Sequence, residues 1–423
     1  MIKIGDLQID KFYLGDKSDA KIYLGDVKVW PKEEEEPSET YPYAFKRVSR
    51  GGSAYTVDCN STSSNTISSG DTRSGLSKAE ISGSTSNNTP VSVVFGDCCK
   101  TIDSEACRGL TYLSSVTISD NVTSLYKYSF YDTYRVEHLK IGSGITYMNT
   151  VFRDTGHSAS TKPDLDLSAN VGLEVDNGSF EYCYFNNMIF PKNCTLSSGA
   201  FKYCSASTLS FGSGTIISDV GQIYSAFYLC NISNIDLNGV TKIGYKAFDR
   251  LNGCTSITIP PSVTDFGAYA FSGSSSLNSV TIDYASNATL GYDQFKDLPI
   301  TSLTIGSHPT SIPSSMFENC TKLTSLDIPS NISSIGDSAF ASCTGLTSLV
   351  IPSNISSIDN NAFSKCSGLT SVTVESTTPP TLGGYGVFNY TSCPIYVPSE
   401  SVDTYKAAYG WSSYASRIQA IPT

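Results

Sequence analysis

The stretch beginning at Phe317 writes one unit almost three times: CTKLTSLDIPSNISSIGDSAFAS, CTGLTSLVIPSNISSIDNNAFSK and CSGLTSVTVESTTPP. Leu323, Leu346 and Leu369 stand 23 residues apart, as do Phe317, Phe340 and Phe363, and Cys320, Cys343 and Cys366. A fixed period of this length means stacked repeats. One unit cannot bury its own apolar face, so each turn depends on its neighbours for a core.

The unit has a template with Phe as origin. An apolar residue stands five before it (Ile312, Ile335, Ile358), Cys three after, and apolar residues six, nine and eleven after (Leu346, Leu349, Ile351). The last two alternate with polar residues and predict a short strand with one inward face. Pro329 and Pro352 end that strand, because Pro cannot donate to a ladder. Sliding the template upstream puts Phe295, Phe271, Phe248, Phe227, Phe201, Phe180, Phe152 and Phe130 at the origin, with Cys107 heading the array and Phe388 closing it, thirteen origins in all. From Phe130 to Phe363 position five before is apolar, except at Gln222, where Ile223 is one place on.

The phrase AF-x-x-C-x-x-L-x-x-L-x-IP, together with the closing stretch from Cys393 through Tyr405 and Trp411 to Ile421, resembles the BspA-type leucine-rich repeat over roughly residues 97 to 423. The resemblance implies a right-handed solenoid with a parallel sheet on one side. At about 4.8 Å per parallel strand, thirteen turns would extend about 60 Å. It also implies a surface or secreted protein of bacteria. The opening MIKIGDLQID has neither an apolar core nor a cleavage site for export, which predicts no leader.

Residues 1 to 30 carry a second repeat. Lys11-Phe12-Tyr13-Leu14-Gly15-Asp16 recurs ten residues on as Lys21-Ile22-Tyr23-Leu24-Gly25-Asp26. Each copy is a strand-sized alternation closed by a turn pair, and two or three such strands bury too little to be stable alone. The module is expected to pair with another chain or to oligomerise, with Phe12, Tyr13, Leu14, Ile22, Tyr23, Leu24, Val29 and Trp30 as its docking residues. It resembles the tandem openings of tail, fibre and appendage proteins of phages that infect gut Bacteroidetes. That resemblance implies a virion protein, docked to another virion protein through residues 1 to 30.

Residues 31 to 40, with four consecutive Glu between prolines, read as an extended acidic linker. Residues 41 to 96 are Ser/Thr-rich with strand-like pieces at 54–57, 78–81 and 91–95, a β cap over the first turn. Residues 97 to 392 form the solenoid. Residues 393 to 423 form a second cap through Tyr405, Tyr409, Trp411 and Ile418, with a short helix over 403–408.

Chemistry finds little purchase. Thirteen cysteines could signal disulfides, but Cys183, Cys204, Cys230, Cys320, Cys343 and Cys366 all fall three after the Phe, which reads as a ladder of buried, reduced thiols. His138, His157 and His308 lie on different turns without the spacing of a zinc site. There is no phosphate-binding Gly-Lys loop and no nucleophile elbow. Asp164 with Asp166, or Asp236 with Asp249, are the carboxylate pairs to test against a glycosidase geometry, but such residues between repeats usually shape turns. A net charge of −11 argues against nucleic acid or an anionic membrane as partner, and no run of 18 apolar residues marks a span. No cofactor or metal is expected.

What remains is surface. The outward strand positions are mostly hydroxyls and amides, a pattern interrupted after Phe130 by His138 and Lys140. None of the 26 tyrosines lies between 293 and 384, where the repeat is most regular, and twelve lie between 112 and 245. Tyr131, Tyr182, Tyr203 and Tyr228 sit one or two places after the origin. Two readings follow: larger side chains fill wider bends, or Tyr supplies contact area for a protein or glycan. On the second, the candidate surface is Tyr126, Tyr128, Tyr131, Tyr134, His138, Lys140, Tyr182, Tyr203, Tyr224 and Tyr228. The function expected is a non-enzymatic virion appendage protein that recognises a host surface glycan or protein. A bacterial surface adhesin and a polysaccharide depolymerase are the alternatives.

Overall fold

A computed structural model of the protein describes residues 91–423 apart from 98, 112, 158–160, 219–224, 385 and 423, and, upstream, the backbone of the strands named below. The chain divides into two units, Met1–Ser207 and Thr208–Thr423. The repeats of each unit form a parallel β-solenoid, as the period requires.

In the second unit the expected strands lie in register one period apart. Ser256–Ile259 pairs with Ser279–Ile282, and that with Ser302–Ile305, so Ser256, Ser279 and Ser302 form one outward column and Thr258, Thr281 and Thr304 another. Ser348–Ile351 and Ser371–Val374 repeat the arrangement. Leu326 and Ile328 keep their core places, 8% and 5% exposed, in a turn without an assigned strand there. Position five before the Phe, read from sequence only as an apolar site, belongs to a second strand. Ser311–Ile312, Ser334–Ile335, Ser357–Ile358 and Thr381–Leu382 form a parallel ladder of their own, Leu382 standing one place earlier relative to its Phe. Two residues are too few for alternation to announce a strand.

The core is a column of rings. In the first unit Phe130, Phe152, Phe180 and Phe201 stack with centroids 4.9, 5.4 and 5.1 Å apart. In the second, Phe227 through Phe388 stack over eight turns at 5.0 to 5.9 Å, with planes within 12° of parallel. The turn spacing dictates this: strands about 4.8 Å apart bring identical positions to near stacking distance.

The eleven described cysteines are all free and buried. The thiols three after the Phe do more than fill space. Cys183, Cys320, Cys343 and Cys366 donate to the carbonyl of the origin Phe one turn earlier, at 2.8 to 3.4 Å. Thr155 and Ser274, at the same position in other turns, donate to the same place on Phe130 and Phe248.

Upstream of residue 97 the parallel ladders continue. Leu113–Ile118 pairs with Val91–Phe95, which pairs with Ser53–Asp58, while Thr101–Ile102 pairs with Thr66–Ile67. Ala44–Ser49 runs antiparallel to Ser53–Asp58. The strand expected at 78–81 lies outside the described residues. Ile2–Ile4 pairs with Leu7–Ile9, and Ile22–Leu24 with Val27–Trp30, both antiparallel. Ile22–Leu24 also meets Ala44–Ser49 through Tyr23 and Lys46, so this ribbon is joined to its own chain. Phe12, Tyr13 and Leu14 lie outside the described residues, and of Ile22, Tyr23, Leu24, Val29 and Trp30 only the backbone is described.

At the other end the helix Val402–Ala407 and the 3-10 turn Trp411–Arg417 cover the last coil. Trp411 is fully buried and donates to the Pro380 carbonyl at 2.8 Å, and Tyr405 donates to Ser376 at 2.8 Å. Of the four capping residues expected, Tyr409 is the exception at 67% exposed. Gly410, at φ 78, reverses the chain beside it, and the buried place goes to Tyr414.

Candidate functional site

Most of the described turns round their Phe corner with a left-handed residue two before the ring and another two after it. Tyr128, Lys246, Tyr269, Ser315 and Ser338 occupy the first position, and Asp132, Tyr182, Tyr203, Arg250, Asn319 and Lys365 the second, all with φ between 52° and 64°. Alternating the backbone hand points every second N–H the same way. Ser315, Phe317 and Asn319 thus donate to Asp337, Ala339 and Ala341 of the next turn at 2.7 to 2.9 Å. The corner demands this conformation of any side chain, including Tyr, for which it costs about 1–2 kcal/mol per residue.

In the first unit the corner tyrosines form a stack with cations. The Arg108 guanidinium lies 5.1 Å over the Tyr131 ring, and Arg153 lies 5.7 Å over both Tyr131 and Tyr182. Tyr182 stacks on Tyr203 at 4.7 Å, and Lys202 covers Tyr203 at 5.0 Å. Glu181 ties the stack together, 3.2 Å from Arg153 and 3.5 Å from Lys202. Tyr128 meets Tyr131 at 5.7 Å. Tyr131, Tyr182 and Tyr203 are half-buried in this stack, whereas Tyr126 and Tyr128 are 51% and 37% exposed.

A second cluster stands further along the same turns. Tyr134 donates to Asp132 at 2.9 Å, and this bond to a carboxylate raises its hydroxyl to about 12. His157 packs between the rings of Tyr134 and Tyr184, and Lys162 lies 4.6 Å over Tyr184. His138 and Lys140 are exposed on a different face, the strand His138–Lys140, whose partners are Ser115 and Thr117. The described candidate residues of the first unit are therefore not one surface. Tyr128, Tyr131, Tyr182 and Tyr203 share the corner stack, Tyr134 joins the His157 cluster, and His138 with Lys140 lies on the sheet. Tyr228, in the second unit, has its ring under Arg250, its hydroxyl 3.4 Å from the guanidinium. Tyr224 lies outside the described residues.

The second unit holds an aromatic row that sequence reasoning did not single out. Tyr245, Tyr269 and Tyr292 come from three successive corners, with centroids 5.8 and 5.3 Å apart and planes crossed at 80° and 76°. Tyr245 and Tyr292 are 45% and 51% exposed. The Tyr269 hydroxyl hydrogen-bonds the Asp293 carboxylate, which raises it above its ordinary value. The signal was present in the sequence but split, because Tyr269 stands two before its Phe and the others three before theirs.

The carboxylates considered for hydrolysis do other work. Asp166 and Asp236 each accept the N–H two residues on, from Ser168 and Asn238 at 2.9 Å, which shapes a turn. Asp164 accepts from the Asn187 backbone and from the Asn186 and Asn187 side chains. Asp249 follows Phe248 at the corner, where burial raises its carboxyl against the pull of Lys246 and Arg250, while Asp236 ends a strand. Among the described residues no group of His, Cys, Asp and Glu is placed to hold a metal, and no helix is long and apolar enough to cross a membrane.

A family model described as the BspA type leucine rich repeat region, in six copies, matches residues 83–160, 173–298 and 288–400. No curated protein matches the chain. Among solved structures it is similar to a leucine-rich repeat protein from Bacteroides ovatus, at 15% identity over 91% of this chain and 99% of that one, with a TM-score of 0.41. It is also similar to a leucine rich cell surface protein from Faecalibacterium prausnitzii, at 20% identity over 81% and 95% with a TM-score of 0.31. The pneumococcal vaccine antigen PcpA gives 14% identity over 90% and 96%, with a TM-score of 0.37. With its repeats matched over most of its length and its coils stacked at the same period, the chain belongs to the BspA-type leucine-rich repeat family.

Proposed function

We propose that this chain is a non-enzymatic recognition protein, carried on a phage particle as a tail or head appendage and docked there through residues 1 to 30. The observation that carries the recognition role is the row Tyr245, Tyr269 and Tyr292. Two of its rings leave about half their surface in water, 45% and 51%, and the three repeat along the solenoid at its own spacing. Rigid amphipathic rings of this kind supply contact area at small cost in side-chain entropy. Tyr126 and Tyr128 add exposed rings in the first unit. The carrier is inferred from the resemblance of residues 1 to 30 to phage appendage openings. The family match begins at residue 83, so it bears on the repeats alone. A bacterial surface adhesin would use the same rows on a different carrier.

Binding of the full chain to intact host cells tests the recognition role. Tyr245→Ala combined with Tyr292→Ala, at an unchanged melting temperature, should weaken binding at least tenfold, since anchoring aromatics carry about 1–2 kcal/mol or more each. Unchanged binding by the folded variant would remove the row from the proposal. Virions assembled with a chain lacking residues 1 to 30 should lose the protein, and full occupancy would sink the docking role. Release of reducing sugar from host capsule, abolished by one Asp or Glu substitution, would replace recognition by hydrolysis.

A further inference from the structure

In the second unit the strand Asn231–Asp236 and the strand Ser256–Ile259 are one turn apart, yet they belong to different sheets. The two turns are joined at their Phe corners and by a bridge between Asn231 and Asn252, and regular strand pairing restarts at Ser256–Ile259. At the end of the first of these strands Asp236 accepts the Asn238 N–H, and the chain reverses through Gly239 at φ 91. Where the ladder parts, a cleft of about 290 Å³ opens between Ile235–Asn238 and Ser256–Thr258.

The lining has a definite chemistry. Asp236, Asn238, Ser256 and Thr258 are all exposed and bring a carboxylate, an amide and two hydroxyls to one small concavity. Ile235 is half-buried at its edge, and Leu237 and Ile257 form the buried floor at 2% and 3%. A carboxylate and an amide can accept from and donate to neighbouring hydroxyls, while an aliphatic floor meets the C–H face of a ring. The volume falls at the lower edge of ligand pockets, which run from about 300 to 1,000 Å³, so it suits one ring rather than a drug-sized molecule. A carboxylate in the wall of a chain of net charge −11 selects against an anionic ligand.

We propose that this cleft is a subsite for one neutral hexopyranose ring of a surface glycan. It deepens the recognition reading by naming a ligand class, and rests on that reading only for the surface that carries the sugar. The rest of the glycan would lie along the Ser256–Ser279–Ser302 and Thr258–Thr281–Thr304 columns, which lead away from the cleft.

Saturation-transfer difference NMR on the full chain tests it, with the methyl glycosides of glucose, galactose, mannose and N-acetylglucosamine as probes and glucuronate as the anionic control. At least one neutral glycoside should receive saturation, and glucuronate none. Asp236→Asn keeps an oxygen for the Asn238 N–H, so the turn survives while the charge is lost. It should weaken binding about tenfold, as the loss of charge-assisted hydrogen bonds predicts. Thr258→Val should weaken it as well. No saturation of any neutral glycoside, equal saturation of glucuronate, or titration curves unchanged in both variants would overturn the assignment. Cell binding by the Tyr245→Ala, Tyr292→Ala variant reports on the recognition surface alone. Sugar binding that persists there while cell binding is unaffected would leave the cleft standing and the tyrosine row refuted.

Discussion

The position three after the Phe shows how one residue serves two demands at once. It packs in the core, and where it carries a donor it adds a second hydrogen bond to the Phe carbonyl one turn earlier, which already accepts a backbone N–H from its own turn, as Phe317 does from Cys320 at 3.2 Å; Leu251 and Leu298 hold the same position without a donor. Cys343 does both, giving its thiol to Phe317 at 3.2 Å, and Ser274 and Thr155 do the same elsewhere. The spacing made the ladder of buried thiols readable from sequence. The acceptor was not readable, because it lies on the preceding turn. Cys343→Ser should therefore hold stability close to that of the parent chain, whereas Cys343→Val, of similar bulk but without a donor, should cost about 0.5–1.5 kcal/mol by removing one of the two hydrogen bonds that the Phe317 carbonyl accepts, the Cys320 N–H remaining at 3.2 Å. Urea denaturation of the two variants checks this.

The same thiols set an alkaline limit. Burial pushes Cys320 and Cys366 up to about 12 from a reference of 9.0. The unfolded chain releases these protons near pH 9 and the folded chain does not. Stability is therefore full below pH 9 and falls as pH rises from there toward 12, by up to about 1.4 kcal/mol per pH unit per thiol. Melting temperatures between pH 7 and 11 should decline, and a Cys320→Ser, Cys366→Ser variant should decline less.

At the scale of the element, the corner rather than the strand distinguishes these turns. The strands were foreseen from Leu-x-Ile alternation. The left-handed residues at either side of the Phe were not, because Ser, Lys, Arg, Asp and Tyr all occupy them and no composition marks them. The hydrogen bonds from one corner to the next impose the conformation, and the side chain accepts it. Tyr182 and Tyr203 hold it where Asn would be easier, and gain a ring stack at 4.7 Å in return. The candidate tyrosines could be named from sequence, but their separation into a corner stack, a His157 cluster and a sheet face could not. That division depends on cations such as Arg153, which comes from the turn between Tyr131 and Tyr182. Tyr182→Asn should relieve backbone strain and lose the stack, so the melting temperature should shift little. Arg153→Ala should cost more, because it uncovers two rings and leaves Glu181 with Lys202 alone of its two cations.

For the whole chain, stability is built from neighbour to neighbour. Excising one complete period, residues 341 to 363, returns each remaining residue to an equivalent neighbour and should leave a folded chain with a similar circular dichroism spectrum. Excising residues 341 to 351 removes the strand but keeps the second ladder, and should cost cooperative melting. The capped end bears on this too. Trp411, Tyr405 and Arg417 close the carbonyls of Pro380, Ser376, Thr391 and Cys393 with side chains rather than with another coil. Lengthening by gene duplication is thereby confined to the interior: new copies can be spliced in between 317 and 374, where the units are nearly interchangeable, but none can be appended after the tryptophan. Lineages carrying this gene would then differ in the number of interior coils while keeping the same cover of Tyr405, Trp411 and Arg417.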